Sequence, residues 1–207
     1  MKPSARTATV LAAGWLLVAL GGASLDGQAQ EGRPRESRAA LAAAAPVVLD
    51  AQLTDPHGRV LRFRSDVLER GPTLVTFTYL GCNAQCPVSD VIAGGVETLL
   101  ERSGRSDARI VTLTLDPTGR AADLRTHAEL IGTGPRRTLL GGDLLVTAPL
   151  LEGLGVRFGS LDDHGLFFLI FDASGRFESR VELADATPES LVVQLEAARG
   201  PARRPAR

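Results

Sequence analysis

The stretch Leu74-Val75-Thr76-Phe77-Thr78-Tyr79-Leu80-Gly81-Cys82-Asn83-Ala84-Gln85-Cys86-Pro87 decides how the rest of the chain is read. Its first half, extended back to Thr73, is a continuous β-branched and aromatic run, the pattern of a central strand buried on both faces. Pro87 then marks the first turn of a helix, where proline is favoured. That helix is expected to run to about Arg102 and to stop near Gly104. The only two cysteines of the chain stand at this strand-to-helix junction, four positions apart. Cα atoms one helical turn apart fall at roughly 6 Å, inside the disulfide range of about 4.4–6.8 Å. Two thiolates so placed can equally hold one soft metal ion.

Outward from this junction, strands and helices alternate. Val47–Thr54 and Val60–Arg64 flank the turn Asp55-Pro56-His57-Gly58 and predict an N-terminal hairpin. Ile110–Leu115 reads as a second buried strand. Asp116-Pro117 then turns the chain into a helix over Ala121–Ile131, and a short helix follows near Ala148–Leu154. Leu166–Phe171 and Phe177–Leu183 form a late hairpin around Asp172-Ala173-Ser174-Gly175. Thr187 and Pro188 supply the cap and first position of a last helix. This order predicts an α/β fold, a thioredoxin-like central sheet flanked by helices with an N-terminal hairpin.

The amino terminus bears on location. Lys2 and Arg6 precede the apolar stretch Thr7–Ala23, and small residues follow at Gly21-Gly22-Ala23 and Gly27-Gln28-Ala29, the pattern of a secretory leader. The stretch is also just long enough for a tilted membrane anchor. Residues 1–29 are therefore read as leader or membrane anchor, 30–46 as an Ala/Arg/Glu-rich linker, 47–198 as the folded domain and 199–207 as a basic tail. The chain is expected to be exported, either periplasmic or attached to the outer face of the inner membrane. In an oxidising compartment an even cysteine pair most simply means a structural disulfide. A domain of roughly 150 residues has enough core to fold without one. The formal net charge of −1, the pI near 6.3 and dispersed basic residues, of which Lys2 is the single lysine, exclude a nucleic-acid surface.

The three histidines differ in setting. His57 falls in the Pro-Gly turn and reads as exposed. His127 falls on the polar-faced helix and reads as solvated. His164 stands just before an apolar strand, where an imidazole caps a strand end as readily as it binds a metal. Tyr79 reads as core. Both thiols lie near a helix N-terminus, where amide dipoles favour thiolate, so their pKa values are expected to be lowered.

Several of these segments together resemble the Sco/SenC family: the cysteine segment, Thr114-Leu115-Asp116-Pro117, Leu140-Gly141-Gly142-Asp143, Asp163-His164 before a strand, and the Asp172-Ala173-Ser174-Gly175-Arg176 turn. The likeness spans most of Val47–Ala197. It implies a thioredoxin fold and copper as cofactor, bound by Cys82, Cys86 and His164. It further implies a role in assembling the dinuclear copper site of cytochrome c oxidase. The partners would then be the copper-bearing subunit of that oxidase or another copper acceptor, and a thiol reductant. Asp163 is placed to orient the His164 imidazole and Asp116 to border the cysteines, although each reads equally well as a turn or capping aspartate. The chain departs from the family pattern at Asn83, where a proline is usual, and at Gly165, where Ser or Thr is usual. It also lacks the Arg-Asp-Thr continuation after Asp116-Pro117.

Soft thiolates suit Cu(I), and one imidazole lets the same site hold Cu(II), whereas structural zinc calls for a fourth protein ligand that the sequence does not offer. The other reading is an extracytoplasmic thiol–disulfide oxidoreductase without a metal, using Cys82 and Cys86 as a redox-active pair. The Cys-x-x-x-Cys spacing departs from the Cys-x-x-Cys of thioredoxins. A peroxiredoxin signature fails because Tyr79 stands where its threonine belongs. A non-catalytic domain with a disulfide-stapled loop is the third reading.

Overall fold

The computed structural model describes residues 45–80, 82, 86–104, 107–156 and 167–199. In chain order these form β1 (Gln52–Thr54), β2 (Val60–Arg62), β3 (Thr73–Thr78), α1 (Cys86–Arg102), β4 (Arg109–Thr114), α2 (Ala121–Ile131), β5 (Arg137–Leu140), α3 (Leu144–Gly153), β6 (Phe167–Phe171), β7 (Phe177–Glu182) and α4 (Pro188–Ala197). The main sheet runs β5-β4-β3-β6-β7, with β3, β4 and β5 parallel and β6 and β7 antiparallel to their neighbours. The expected mixed α/β fold is present, and the cysteine strand lies at its centre.

Successive residues of a strand face opposite sides of a sheet, and the core divides accordingly. Val75, Phe77, Val111, Leu113, Leu169 and Phe171 pack toward the hairpin and α3. Leu74, Ile110, Phe168 and Ile170 pack toward α1 and α4, against Val96, Leu100, Leu191 and Leu195. Every residue of β3 is buried, as its uninterrupted apolar and β-branched run requires.

Two hairpin turns share one sequence, Asp-x-x-Gly-Arg, and one geometry. Asp55 Oδ1 accepts the amides of His57 and Arg59 at 2.8 and 2.9 Å, and Arg59 Nε donates to Oδ2 at 2.7 Å. Asp172 repeats this with Ser174, Arg176 and the Arg176 side chain at 2.8, 3.0 and 2.9 Å. His57 is exposed in the first of these turns, as expected.

Three elements differ from the sequence reading. The first strand of the hairpin starts at Gln52 rather than Val47. Upstream of it the chain lies against the end of α3, with Val47 N–H donating to Gly153 O at 2.8 Å. The short helix begins earlier, at Leu144, because Asp143 caps it by accepting from Leu145 N–H at 2.8 Å. The edge strand β5 was not anticipated. Its end is fixed by close backbone packing: Gly119, at φ +42°, lies so near Gly141 and Gly142 that a Cβ there would come within 2.1 Å of Gly142 N. This crossing holds the loop after β4 beside the cysteine end of the sheet.

Candidate thiol and metal centre

Beyond Thr78 the backbone leaves β3 and turns, and Cys82 N–H donates to Tyr79 O at 3.0 Å. Cys86 opens α1. Cys82 is half-buried and Cys86 only 2% exposed. They lie within hydrogen-bond reach of each other. Tyr79 is half-buried and contributes backbone contacts to both cysteines.

The expected lowering of the thiol pKa does not hold at Cys86. Burial pushes this thiol up to about 12, the hydrogen bond with Cys82 adds to the rise, and the Tyr79 backbone opposes it; the charges of Cys82 and Asp90 push it up again. A helix N-terminus favours an anion by only about 0.3–1 kcal/mol at an exposed site, less than the cost of ionising a group shut away from water.

Asp116 lies in the loop after β4 and is hydrogen-bonded to the chain just before the cysteine loop. Its Oδ2 accepts Leu80 N–H at 2.6 Å and the Thr114 hydroxyl at 2.5 Å, while its own amide donates to Thr114 Oγ1 at 3.1 Å. One carboxylate thereby ties the end of β4 to the residue where the cysteine loop departs from β3. His164 and Asp163 lie outside the described residues, in the connection from α3 to β6.

His127 is not on a solvated face. Its side chain is 11% exposed, with Nε2 at 3.7 Å from Asp90 Oδ2 and 3.4 Å from Thr78 Oγ1. Asp90 sits one turn after Cys86 on the inward face of α1, where its carboxylate meets the fully buried guanidinium of Arg137. Arg137 also donates to Thr112 Oγ1 at 2.9 Å and to Asp90 O at 3.2 Å. Burial alone would raise the Asp90 pKa; His127 and the Arg137 guanidinium outweigh it and hold the carboxyl below its usual range. A buried charge is tolerated only when paired and hydrogen-bonded, and this one is both. Sequence reading missed Asp90 and Arg137. The available signal was the four-residue step from Cys86 to Asp90, which places both on one face of a helix.

Among the described residues no group of three or more His, Cys, Asp or Glu side chains is arranged to hold a metal, and no helix is long and apolar enough to cross a membrane. The two thiols by themselves form a soft donor pair, suited to a thiophilic ion or to a disulfide.

No family model and no curated protein sequence matches the chain. Solved structures do. ScoI of Bradyrhizobium japonicum, determined with copper bound, is 24% identical with a TM-score of 0.57, over 75% of this chain and 99% of its own. BsSco, a Sco family member described for its disulfide switch, is 16% identical with a TM-score of 0.59, over 74% and 95%. A SCO1/SenC family lipoprotein of Bacillus anthracis is 14% identical with a TM-score of 0.61, over 73% and 94%. At these identities the likeness establishes architecture: the central five-stranded sheet and its flanking helices make up the thioredoxin-like fold of the Sco structures.

Proposed function

We propose that the chain is an exported copper-binding protein of the Sco type, which carries copper, or electrons to thiols, for assembly of the dinuclear copper site of cytochrome c oxidase. Cys82, Cys86 and His164 are the proposed ligands. The observation that carries the reading is the pair of mutually hydrogen-bonded thiols at the end of the central strand, on a fold shared with a Sco protein solved with copper. Cu(I) entry displaces the thiol protons, so loading is expected to weaken as pH falls. Location outside the cytoplasm is supported by the leader-like N-terminus and by the lipoprotein among the structural neighbours. The proposed partners are the copper-bearing oxidase subunit, or another copper acceptor, and a thiol reductant.

The test is anaerobic reduction followed by Cu(I) loading and metal analysis. One copper per chain is expected, with loss in Cys82→Ser and in Cys86→Ser. Loading with Cu(II) should give thiolate charge-transfer absorption. Unchanged copper stoichiometry in both serine variants would sink the assignment.

The metal-free oxidoreductase is the second reading, favoured by the unequal burial of the two thiols and by the disulfide switch of BsSco. His164→Ala separates the two. A copper carrier should lose Cu(II) retention more than Cu(I), since imidazole matters more to the harder ion, while the disulfide potential stays put. Copper retention unaffected in both oxidation states would move the weight to dithiol exchange.

A further inference from the structure

We infer that Asp90 sets which oxidation state of copper the thiol pair holds, its buried carboxylate favouring the divalent ion over the monovalent one. The inference rests on the copper-binding reading above. Cys86 and Asp90 stand one turn apart on the inward face of α1, and residues so spaced have Cβ atoms about 5–6 Å apart. The carboxylate is 7% exposed, so water screens its field poorly. Arg137 compensates it from β5, and β4 lies between β5 and the cysteine strand β3. The other carboxylate oxygen accepts from the hydroxyl of Thr78, the last residue of β3, at 3.3 Å and lies 3.7 Å from His127 Nε2, and the Asp90 charge is felt at the Cys86 thiol.

Charge decides the sign. Cu(I) bound by two thiolates is a centre of net charge −1; Cu(II) bound by the same two is neutral. Reduction adds one electron to the metal without making or breaking a bond, and a fixed negative charge nearby penalises the state that gains it. Asp90 should therefore lower the potential of the bound Cu(II)/Cu(I) couple. A strap that merely joins α1 to β5 would not act on this quantity.

The experiment is a mediated potentiometric titration of the copper-loaded protein. Asp90→Asn should raise the potential by about 59 mV, a tenfold shift in relative affinity toward Cu(I) for a one-electron couple. Should the unpaired Arg137 prevent that variant from folding, Asp90→Asn with Arg137→Gln decides instead, and a smaller rise is expected because the more distant positive charge is lost as well. Glu97→Gln is the control. Glu97 is a buried carboxylate on the same helix that accepts the Gly134 and Arg136 amides at 2.9 Å, but at about 1.5 Å per residue it lies about 16 Å along the axis from Cys86, against about 6 Å for Asp90. Its potential should equal that of the wild type. A potential that does not rise when Asp90 is neutralised, or one that moves equally in Glu97→Gln, overturns the inference and leaves copper binding standing. A wild-type protein that takes up no copper overturns both.

Discussion

The two thiols are four residues apart and chemically unequal. Cys82 is half-buried, and Cys86 is closed off with its pKa pushed up to about 12. Iodoacetamide near neutral pH should therefore modify Cys82 in the native protein and reach Cys86 only in denaturant, as peptide mass analysis would show. Equal native rates would contradict the burial that sets the pKa. At Asp116, replacement by alanine strips the Leu80 amide and the Thr114 hydroxyl of a shared acceptor. Leaving a largely buried donor unpaired costs about 1–3 kcal/mol, to be read from urea midpoints. Asp172 carries a pH signature. Burial would raise its pKa, but hydrogen bonds from Ser174 and Arg176 bring it down to about 2. A carboxyl depressed on folding contributes stability above its unfolded pKa of about 3.9, lost as pH falls through the folded value. Stability should thus decline between about pH 4 and 2, and Asp172→Asn should flatten that part of the curve.

Among the elements, α1 and α4 meet at one tight point: a Cβ on Gly95 would lie 2.7 Å from Pro188 Cγ. Gly95→Leu should destabilise by about 1–3 kcal/mol through overpacking. Gly95→Ala should be relieved in part by Pro188→Ala, a coupling that a double-mutant cycle in urea measures. The elements that sequence revealed are those whose signal is local. β3 announced itself by its apolar run, α1 by Pro87, α4 by Thr187 and Pro188, and the hairpins by the turns Asp55-Pro56-His57-Gly58 and Asp172-Ala173-Ser174-Gly175. β5 was hidden because Arg137-Thr138-Leu139-Leu140 is short and opens with a charge that only Asp90, from another element, renders harmless inside. His127 was misread although Leu124, Ala128 and Ile131 mark the inward stripe of α2 and His127 falls within it. An imidazole on an apolar stripe looks polar until its buried partners are known. The thiol pKa was misjudged for the same reason, since a dipole is read from spacing and burial is not. Within the candidate site, the cysteine pair and Asp116 were therefore legible, whereas Asp90 and Arg137 become meaningful only when the helix is laid on the sheet.

At the scale of the molecule, one sheet separates two cores, and each should respond to truncation on its own side. Phe168 is fully buried between β6 and the α1–α4 layer, and Phe168→Ala should cost about 3–5 kcal/mol in a urea titration. The strand order also has a history in time. Thr73 pairs with Arg109 on one side of β3 and with Phe171 on the other, so the central strand has one partner nearby in the chain and one near its far end. Pairings of large sequence separation form late and slow the search for the native state. A nascent chain can build β3, α1 and β4 well before β6 has emerged, and throughout that interval the floor beneath α1 lacks Phe168 and Ile170. Cys86 opens that helix, so its burial is expected to be complete only once the late hairpin has docked. Pulse alkylation during refolding should find Cys86 protected only in the phase that docks the last hairpin. The sheet topology thus predicts an interval during folding in which a thiol that is shut away in the native protein still lies open to reagents.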